Sequence, residues 1–258
     1  MITSAQNPRI KLVRALQGRA KERREAGAFL AEGVRLVEEA VNTNRPMRFV
    51  LFDETLSERG RSQVESLRSR GIDIEEISTS LMKSLSETET PQGILAVLDE
   101  SPLPIPESLN FVLIPDQIRD PGNLGTLLRT AAAAGVQAVL LPPETTDAFA
   151  PKVVRSGMGA HFHLPIHSMT WDDIIQVVKL AGLQVFLADM DGQSCWETDL
   201  RQSLALIVGG EADGASEQAR ELTHQKLSIP MNENIESLNA GVAGSVLMFE
   251  VVRQRSNF

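Results

Sequence analysis

Three short runs in the second half of the chain are apolar at almost every position. They are Phe111–Pro115, Val136–Leu141 and Leu204–Val208. A strand with one face in water alternates apolar and polar residues, whereas a strand covered on both faces is apolar throughout. The runs therefore predict buried strands of a parallel sheet with helices outside it, which is an α/β fold.

The rest of the chain alternates between helical and strand patterns, and a proline-rich stretch divides it. Residues 1–100 predict a small α/β domain in which residues 9–27 and 31–43 are helices. Residues 101–109 carry three prolines in alternation, which neither a helix interior nor a central strand tolerates. We therefore predict a stiff linker over 101–109 and a second domain over 110–258.

Charge is distributed unevenly along the sequence. The formal net charge of −9 argues against a general nucleic-acid-binding protein, yet residues 1–24 hold seven basic residues and one acidic residue. This basic arm is either an ordinary solvated helix surface or a surface that contacts phosphates. In the second case the candidate RNA-binding residues are Arg9, Lys11, Arg14, Lys21, Arg23 and Arg24.

Cysteine and hydropathy patterns narrow the class of protein. Cys195 is alone, so neither an intrachain disulfide nor a multi-cysteine zinc site is possible. The N-terminal residues lack the apolar core of a signal peptide, and no stretch supplies the about 20 apolar residues of a membrane helix. His161, His163 and His167 are close in sequence, but no carboxylate pattern joins them, so we expect no metal. We expect a soluble, cytoplasmic protein.

The first of three polar segments follows the strand at 111–115, where ligands of parallel sheets bind. Asp120 and Pro121 begin a helix, which puts Asn123 in its first turn and Arg129 about two turns further on. A helix start explains the first two residues. It does not explain Arg129 among apolar neighbours, where an arginine must be paired or must face a cleft.

The second segment leads from the strand at 204–208 into Gly209, Gly210 and Glu211. Glycines there permit either close approach to a ligand or a plain tight turn. Neither the G-x-G-x-x-G dinucleotide pattern nor the phosphate-binding G-x-x-x-x-G-K-[ST] loop is present in the sequence. Their absence argues against a nucleotide-binding enzyme of an unrelated α/β fold.

The third segment is a short strand through Ile229 and Met231, a polar loop, and a helix from Leu238 to Arg253. Ser237 is expected to cap that helix. The first turns of the helix contain Gly241 and Gly244. Because each helical glycine costs about 0.5–1 kcal/mol relative to alanine, both need a packing or a ligand reason.

Together, in this order, the three segments resemble the three motifs of the SpoU-type (TrmH-type) RNA 2′-O-ribose methyltransferases of the SPOUT superfamily. The matching patterns are N-x-G-x-x-x-R-T-A from Asn123, strand-G-x-E at Gly209, and I-P-M followed by S-L-N at Ile229 and Ser237. Ala212 departs from the family, which often has glycine there. Segments near the N-terminus and at 90–97 resemble the substrate-binding domain common in that family, so the resemblance covers nearly the whole chain.

The resemblance implies a small N-terminal α/β RNA-binding domain and a parallel-sheet α/β domain with a deep trefoil knot. It also implies a homodimer packed through the knot and an S-adenosylmethionine pocket formed by the knot. The cofactor-binding positions that it implies are Gly209, Gly210, Ile229, Met231 and Leu238. The catalytic positions that it implies are Asn123, Arg129, Glu211, Ser237 and Asn239.

The reaction implied is methyl transfer from S-adenosylmethionine to a ribose 2′-hydroxyl, with large-subunit rRNA favoured over tRNA. In that family, the arginine at the position of Arg129 is discussed as the base that removes the hydroxyl proton. A guanidinium rarely gives up its proton, so we prefer that Arg129 holds a phosphate or stabilises the forming alkoxide, and that Glu211 orients Asn123 or Arg129. A tRNA methyltransferase and a non-catalytic RNA-binding relative are the alternatives.

Overall fold

The computed structural model describes residues 1–210, 214–232 and 237–256. The strands of the described residues are β1 (Ala28–Glu32), β2 (Met47–Phe52), β3 (Ile74–Glu76), β4 (Ile94–Asp99), β5 (Phe111–Asp116), β6 (Ala138–Leu141), β7 (Ile166–Ser168), β8 (Gln184–Ser194), β9 (Leu204–Gly209) and β10 (Gln225–Ser228). The helices are α1 (Pro8–Gln17), α2 (Ala20–Ala26), α3 (Val34–Asn42), α4 (Glu58–Ser69), α5 (Thr79–Leu85), α6 (Pro121–Ala133), α7 (Pro151–Gly157), α8 (Trp171–Leu180), α9 (Glu217–Leu222) and α10 (Ala240–Arg255).

The chain forms two compact units, and the division does not follow the sequence order. The first unit comprises Met1–Ser101 and Phe149–Phe162, and the second comprises Pro102–Ala148 and His163–Phe258. Our sequence division into 1–100, 101–109 and 110–258 stays a proposal. In the structure, residues 149–162 pack with the first unit, although the sequence division placed them in the second domain.

The first unit is built on a four-stranded sheet in the order β1-β4-β2-β3, in which only β2 and β3 pair in parallel. The predicted helix over 31–43 is wrong at its start, because Ala31 and Glu32 belong to β1 and pair with β4. Gly33, at φ +101°, turns the chain from the strand into α3. The predicted helix over 9–27 is also two helices, since Gly18 ends α1 with a non-helical backbone.

An excursion of the chain, Phe149–Phe162, completes the core of the first unit. Phe149 packs on Phe29 of β1 with ring centroids 5.0 Å apart, and Phe162 lies 6.4 Å from the same ring. Arg155 of α7 pairs with Glu87 at 2.9 Å and with Glu32 at 3.8 Å. Neither α7 nor β7 was predicted from the sequence pattern.

The second unit is a six-stranded sheet in the order β10-β8-β9-β5-β6-β7, and every neighbouring pair is parallel. The three apolar runs are β5, β6 and β9, all buried, so the predicted parallel sheet is confirmed. One side chain cluster joins these strands to Ile174 and Val178 of α8 and to Ala219 of α9. The structure contains no helix, among the residues it describes, that is long and apolar enough to cross a membrane.

Candidate active site

A cavity of about 310 Å³ lies in the second unit at the carboxyl ends of β9 and β10 and beside the middle of β8. Its lining includes all five residues expected to hold a cofactor: Gly209, Gly210, Ile229, Met231 and Leu238. Most of the remaining lining is apolar, with Val208, Leu227, Ala243 and Leu247 among it. Mostly apolar pockets of about 300–1,000 Å³ with a few polar groups are typical small-molecule sites.

The two glycines at the end of β9, Gly209 and Gly210, are required by contacts within the protein. A Cβ on Gly209 would lie 2.8 Å from the backbone N of Ala215, and one on Gly210 would lie 2.5 Å from the carbonyl oxygen of Gln117. Gln117 itself has a left-handed backbone, φ +54°, which directs its carbonyl there. The loops after β5 and β9 therefore touch backbone to backbone, and a larger side chain would separate them.

Asp116, the last residue of β5, ties the same two loops together by a side chain. It is fully buried, and its Oδ2 accepts a hydrogen bond from the backbone N–H of Ser216 at 2.6 Å. Its Oδ1 has no hydrogen-bond partner among the described residues. Burial raises the pKa of Asp116, although the hydrogen bonds from Ser216 act in the opposite direction. Sequence reasoning missed this residue, because a carboxylate ending a strand carries no distinctive pattern.

Helices α6 and α10 run parallel, side by side, because two glycines let their backbones approach. A Cβ on Gly241 would lie 3.3 Å from Thr126, and a Cβ on Gly244 would collide with Leu127. One turn further along, the hydroxyl oxygens of Thr130 and Ser245 are 2.9 Å apart. The packing reason expected for these helical glycines is thus present.

The parallel arrangement places the first turns of α6 and α10 together. Nδ2 of Asn239 donates a hydrogen bond to Oδ1 of Asn123 at 2.8 Å. Asn239 is also the N-cap of α10, since its Oδ1 accepts from the backbone N–H of Val242 at 3.2 Å. The expectation that Ser237 caps this helix is wrong; Ser237 lines the cavity instead.

Arg129, another predicted catalytic residue, is not part of the cavity lining. Arg129 is exposed on α6, makes no ion pair or hydrogen bond with any residue that the structure describes, and does not line the cavity. The catalytic role of Arg129 therefore stays a prediction. Glu211 lies outside the described residues.

The basic arm is only partly available to a ligand. Arg23 is buried, and its Nη1 donates to the carbonyl oxygens of Leu16 at 2.7 Å and Gly18 at 2.9 Å, where α1 ends. This corrects its assignment as an RNA contact. Arg9 pairs with Asp73 and stacks over the ring of Phe49. The exposed candidates that remain are Lys11, Arg14, Lys21 and Arg24.

Two charged side chains that the sequence analysis did not single out, Asp189 and Arg220, line the cavity. Asp189 forms an ion pair with Lys226 at 2.8 Å, and this contact is the main reason that the pKa of Asp189 is lowered. Arg220 projects from α9. No group of three or more His, Cys, Asp or Glu side chains that could hold a metal occurs in the described part of the chain.

Comparison with known proteins decides the family. Residues 110–249 match the SpoU rRNA Methylase family, and residues 7–96 match the MRM3-like substrate binding domain. The chain belongs to the SpoU rRNA methylase family. This confirms the resemblance drawn from the three motifs. The chain is thus an S-adenosylmethionine-dependent RNA methyltransferase.

Relatives of this SpoU methylase match along almost the whole chain. It is 37% identical to the 23S rRNA (guanosine(2553)-2′-O)-methyltransferase RlmP of Bacillus subtilis, over 97% of this chain and 98% of that protein. It is 31% identical to the 23S rRNA (uridine(2479)-2′-O)-methyltransferase of Streptomyces viridochromogenes, over 98% and 92%. The crystal structure of the SpoU methyltransferase AviRb from the same organism, in complex with the cofactor AdoMet, superposes with a TM-score of 0.88 at 30% identity, covering 97% of this chain and 98% of that one.

Proposed function

We propose that this SpoU methylase transfers a methyl group from S-adenosylmethionine to a ribose 2′-hydroxyl of large-subunit ribosomal RNA. One observation carries the proposal. The lining of the cavity at the strand ends includes the third-motif residues Ile229, Ser237 and Leu238. Asn239 directly follows Leu238, and its hydrogen bond to Asn123 joins the first turns of α6 and α10 beside the cavity.

The cavity fits the cofactor by its chemistry. Ile229, Met231 and Leu238 present apolar side chains to it, as a flat adenine ring requires. Gly209 and Gly210 also line the cavity, where they present main chain with no side chain over it. When bound, S-adenosylmethionine supplies an electrophilic methyl group on a sulfonium whose leaving thioether is neutral.

The tasks left to the protein are positioning and proton removal. The first turns of α6 and α10 supply partial positive charge that favours a phosphate or a forming alkoxide nearby. The amide pair of Asn123 and Asn239 has hydrogen-bonding groups that can orient a ribose hydroxyl in line with the methyl group. Arg129 is exposed and directly precedes Thr130, whose hydroxyl group contacts that of Ser245. Its guanidinium is suited to hold a phosphate of the RNA. Ser237 and Glu211 complete the proposed catalytic set.

Ribosomal RNA is favoured over tRNA because both halves of the chain support it. Two of the curated relatives that match along nearly the full chain, including the first unit, are named as 23S rRNA enzymes. A non-catalytic role is disfavoured by the full set of motif residues. The first unit would deliver the RNA, with Lys11, Arg14, Lys21 and Arg24 as its phosphate contacts.

Methyl transfer from tritiated S-adenosylmethionine to ribosomal RNA from a deletion strain tests the function. We expect incorporation into large-subunit rRNA of the deletion strain and none into wild-type rRNA, which is already modified. Arg129→Ala should abolish incorporation while S-adenosylhomocysteine binding stays within about two-fold. Incorporation into tRNA alone, or into neither RNA, would contradict the proposal.

We further propose that the protein is a homodimer through the outer face of α10. Val242 and Phe249, seven residues apart on that helix, are 47% and 49% exposed. Apolar residues exposed on one face of a helix can pack against the same face of a second copy across a two-fold axis. Sedimentation should report a dimer that Phe249→Ser dissociates, whereas Leu180→Ser, which changes an exposed leucine of α8, should leave it intact. A monomeric wild-type protein would contradict this.

The trefoil knot and the cytoplasmic location stay proposals that rest on the family. The end of α10 is held by the segment between β8 and β9. Gln254 donates to the carbonyl oxygen of Thr198 at 3.0 Å and accepts from the backbone N–H of Leu200 at 2.9 Å. We propose that this segment is the loop through which the C-terminal helix is threaded. A single cysteine, buried as Cys195, suits the reducing cytoplasm.

A further inference from the structure

The cavity carries very little charge for a ligand that is itself strongly charged. Among the described residues, Asp189 and Arg220 are the charged side chains of its lining. The amino-acid end of S-adenosylmethionine contains a carboxylate, which needs hydrogen-bond donors or a cation when it leaves water.

Asp189 is already satisfied within the protein. One carboxylate oxygen accepts from Nζ of Lys226 at 2.8 Å, and the other accepts from the backbone N–H of Asp191 at 3.0 Å. Its charge is therefore largely neutralised by Lys226, and Arg220 acts on it only through a weaker charge interaction that also lowers the pKa of Asp189.

Arg220 is anchored at one end and open at the other. Its Nε donates to the carbonyl oxygen of Ala215 at 3.0 Å, which fixes the guanidinium plane beside the loop before α9. Its Nη2 lies 3.4 Å from the position that a Cβ on Gly214 would occupy, so the guanidinium covers that glycine. The Nη groups make no hydrogen bond to any residue that the structure describes. A planar cation with two parallel N–H donors then faces the cavity, and this geometry suits a carboxylate.

We propose that Arg220 binds the carboxylate of the cofactor's amino-acid moiety and so distinguishes S-adenosylmethionine from adenosine derivatives that lack it. The inference rests on the proposed function, because it places that cofactor in this cavity. Arg220 is a specificity residue for the cofactor; it takes no part in proton or methyl transfer.

Calorimetric titration with two probes tests this role. S-Adenosylhomocysteine carries the carboxylate, and 5′-methylthioadenosine has the same adenosine and thioether without it. We expect Arg220→Met to weaken S-adenosylhomocysteine binding about ten-fold and to change methylthioadenosine binding less than two-fold. Arg220→Lys should recover part of the loss. Lys179→Met, which removes an exposed cation from α8 of the same unit, should change neither affinity.

Each other outcome has a distinct meaning. Equal weakening of both probes would show that Arg220 shapes the cavity and would overturn the proposal. Unchanged binding of both probes with a raised KM for RNA would assign Arg220 to the RNA phosphates and would also overturn it. If the wild-type protein bound neither probe, the proposed function itself would fail, whatever the variants did.

Discussion

Asn239 Nδ2 donates to Asn123 Oδ1 across 2.8 Å, so two residues 116 positions apart join the first turns of α6 and α10. The same Asn239 caps α10 and follows Leu238, which lines the cavity. The Asn239 side chain therefore has two functions: its Oδ1 caps α10, and its Nδ2 joins α10 to α6. Substitutions that remove one function and keep the other can test them independently.

Asn239→Ser should keep the cap but lose the reach to Asn123, whereas Asn239→Ala should lose both. We expect the alanine variant to lower the free energy of unfolding by about 1 kcal/mol and the serine variant to leave it nearly unchanged. Both should slow methyl transfer by about ten-fold or more if the amide pair positions the substrate. Urea unfolding and single-turnover kinetics measure the two effects, and a fully active serine variant would reduce Asn239 to a cap.

Gly244→Ala should destabilise the protein more than Gly241→Ala. Both changes gain about 1 kcal/mol of helix propensity, so their difference reports packing alone. At position 244 the new methyl group meets Leu127 and lies 3.1 Å from Val208, whereas at 241 the closest atoms are 3.2 Å and 3.3 Å away. We expect Gly244→Ala to cost about 1–3 kcal/mol in urea unfolding. Equal stability of the two variants would mean that α6 and α10 can separate freely.

Asp116→Asn should change how stability depends on pH. Burial raises the pKa of Asp116, so its contribution to stability is complete below the ordinary aspartate pKa and is lost as pH rises through the raised value. The asparagine variant keeps an acceptor for the N–H of Ser216 but does not titrate. Its free energy of unfolding should therefore rise relative to wild type as the pH increases over the range above the ordinary aspartate pKa. A constant difference across that range would show that Asp116 ionises normally.

Arg155→Leu should destabilise the first unit selectively. The substitution removes the ion pairs to Glu32 and Glu87 and leaves Glu32, already nearly buried, without its cation. We expect a loss of about 1–3 kcal/mol. Both tryptophans, Trp171 and Trp196, lie in the second unit. Circular dichroism should then report earlier unfolding than tryptophan fluorescence does.

The matched control is Lys152→Leu, at an exposed position of the same helix, α7. It should leave both transitions where they are in the wild type. Coincident shifts of both probes for Arg155→Leu would instead mean that the units unfold together.

Reversing Arg14 and Arg24 should weaken RNA binding and reduce its salt dependence. Both side chains are exposed, unlike Arg23. Each lost phosphate contact lowers the slope of log K against log salt by about 0.7–0.9. Filter binding at several salt concentrations measures this. Lys179→Glu on α8 is the control. An unchanged slope for the double variant would mean that the basic arm is an ordinary solvated surface.

Local pattern predicted the second unit well and the first less well. Apolar runs in β5, β6 and β9 are long enough to identify buried strands by themselves. By contrast, Ala31 and Glu32 have no strand preference of their own and become part of β1 through pairing with β4. The excursion 149–162 escaped notice for the same reason, because its aromatic residues are core residues only in the presence of Phe29.

The sequence by itself determined the α/β class, the parallel pairing of the strands in the second sheet, the family, and the five residues that meet in the cavity. These follow from short-range patterns and from motifs. Only the tertiary structure decided that Arg23 is buried, that Asn239 and not Ser237 caps α10, and that Asp116, Asp189 and Arg220 stand at the site. Burial, capping and charge pairing depend on which distant backbone atoms come within hydrogen-bonding distance, and no local pattern encodes that.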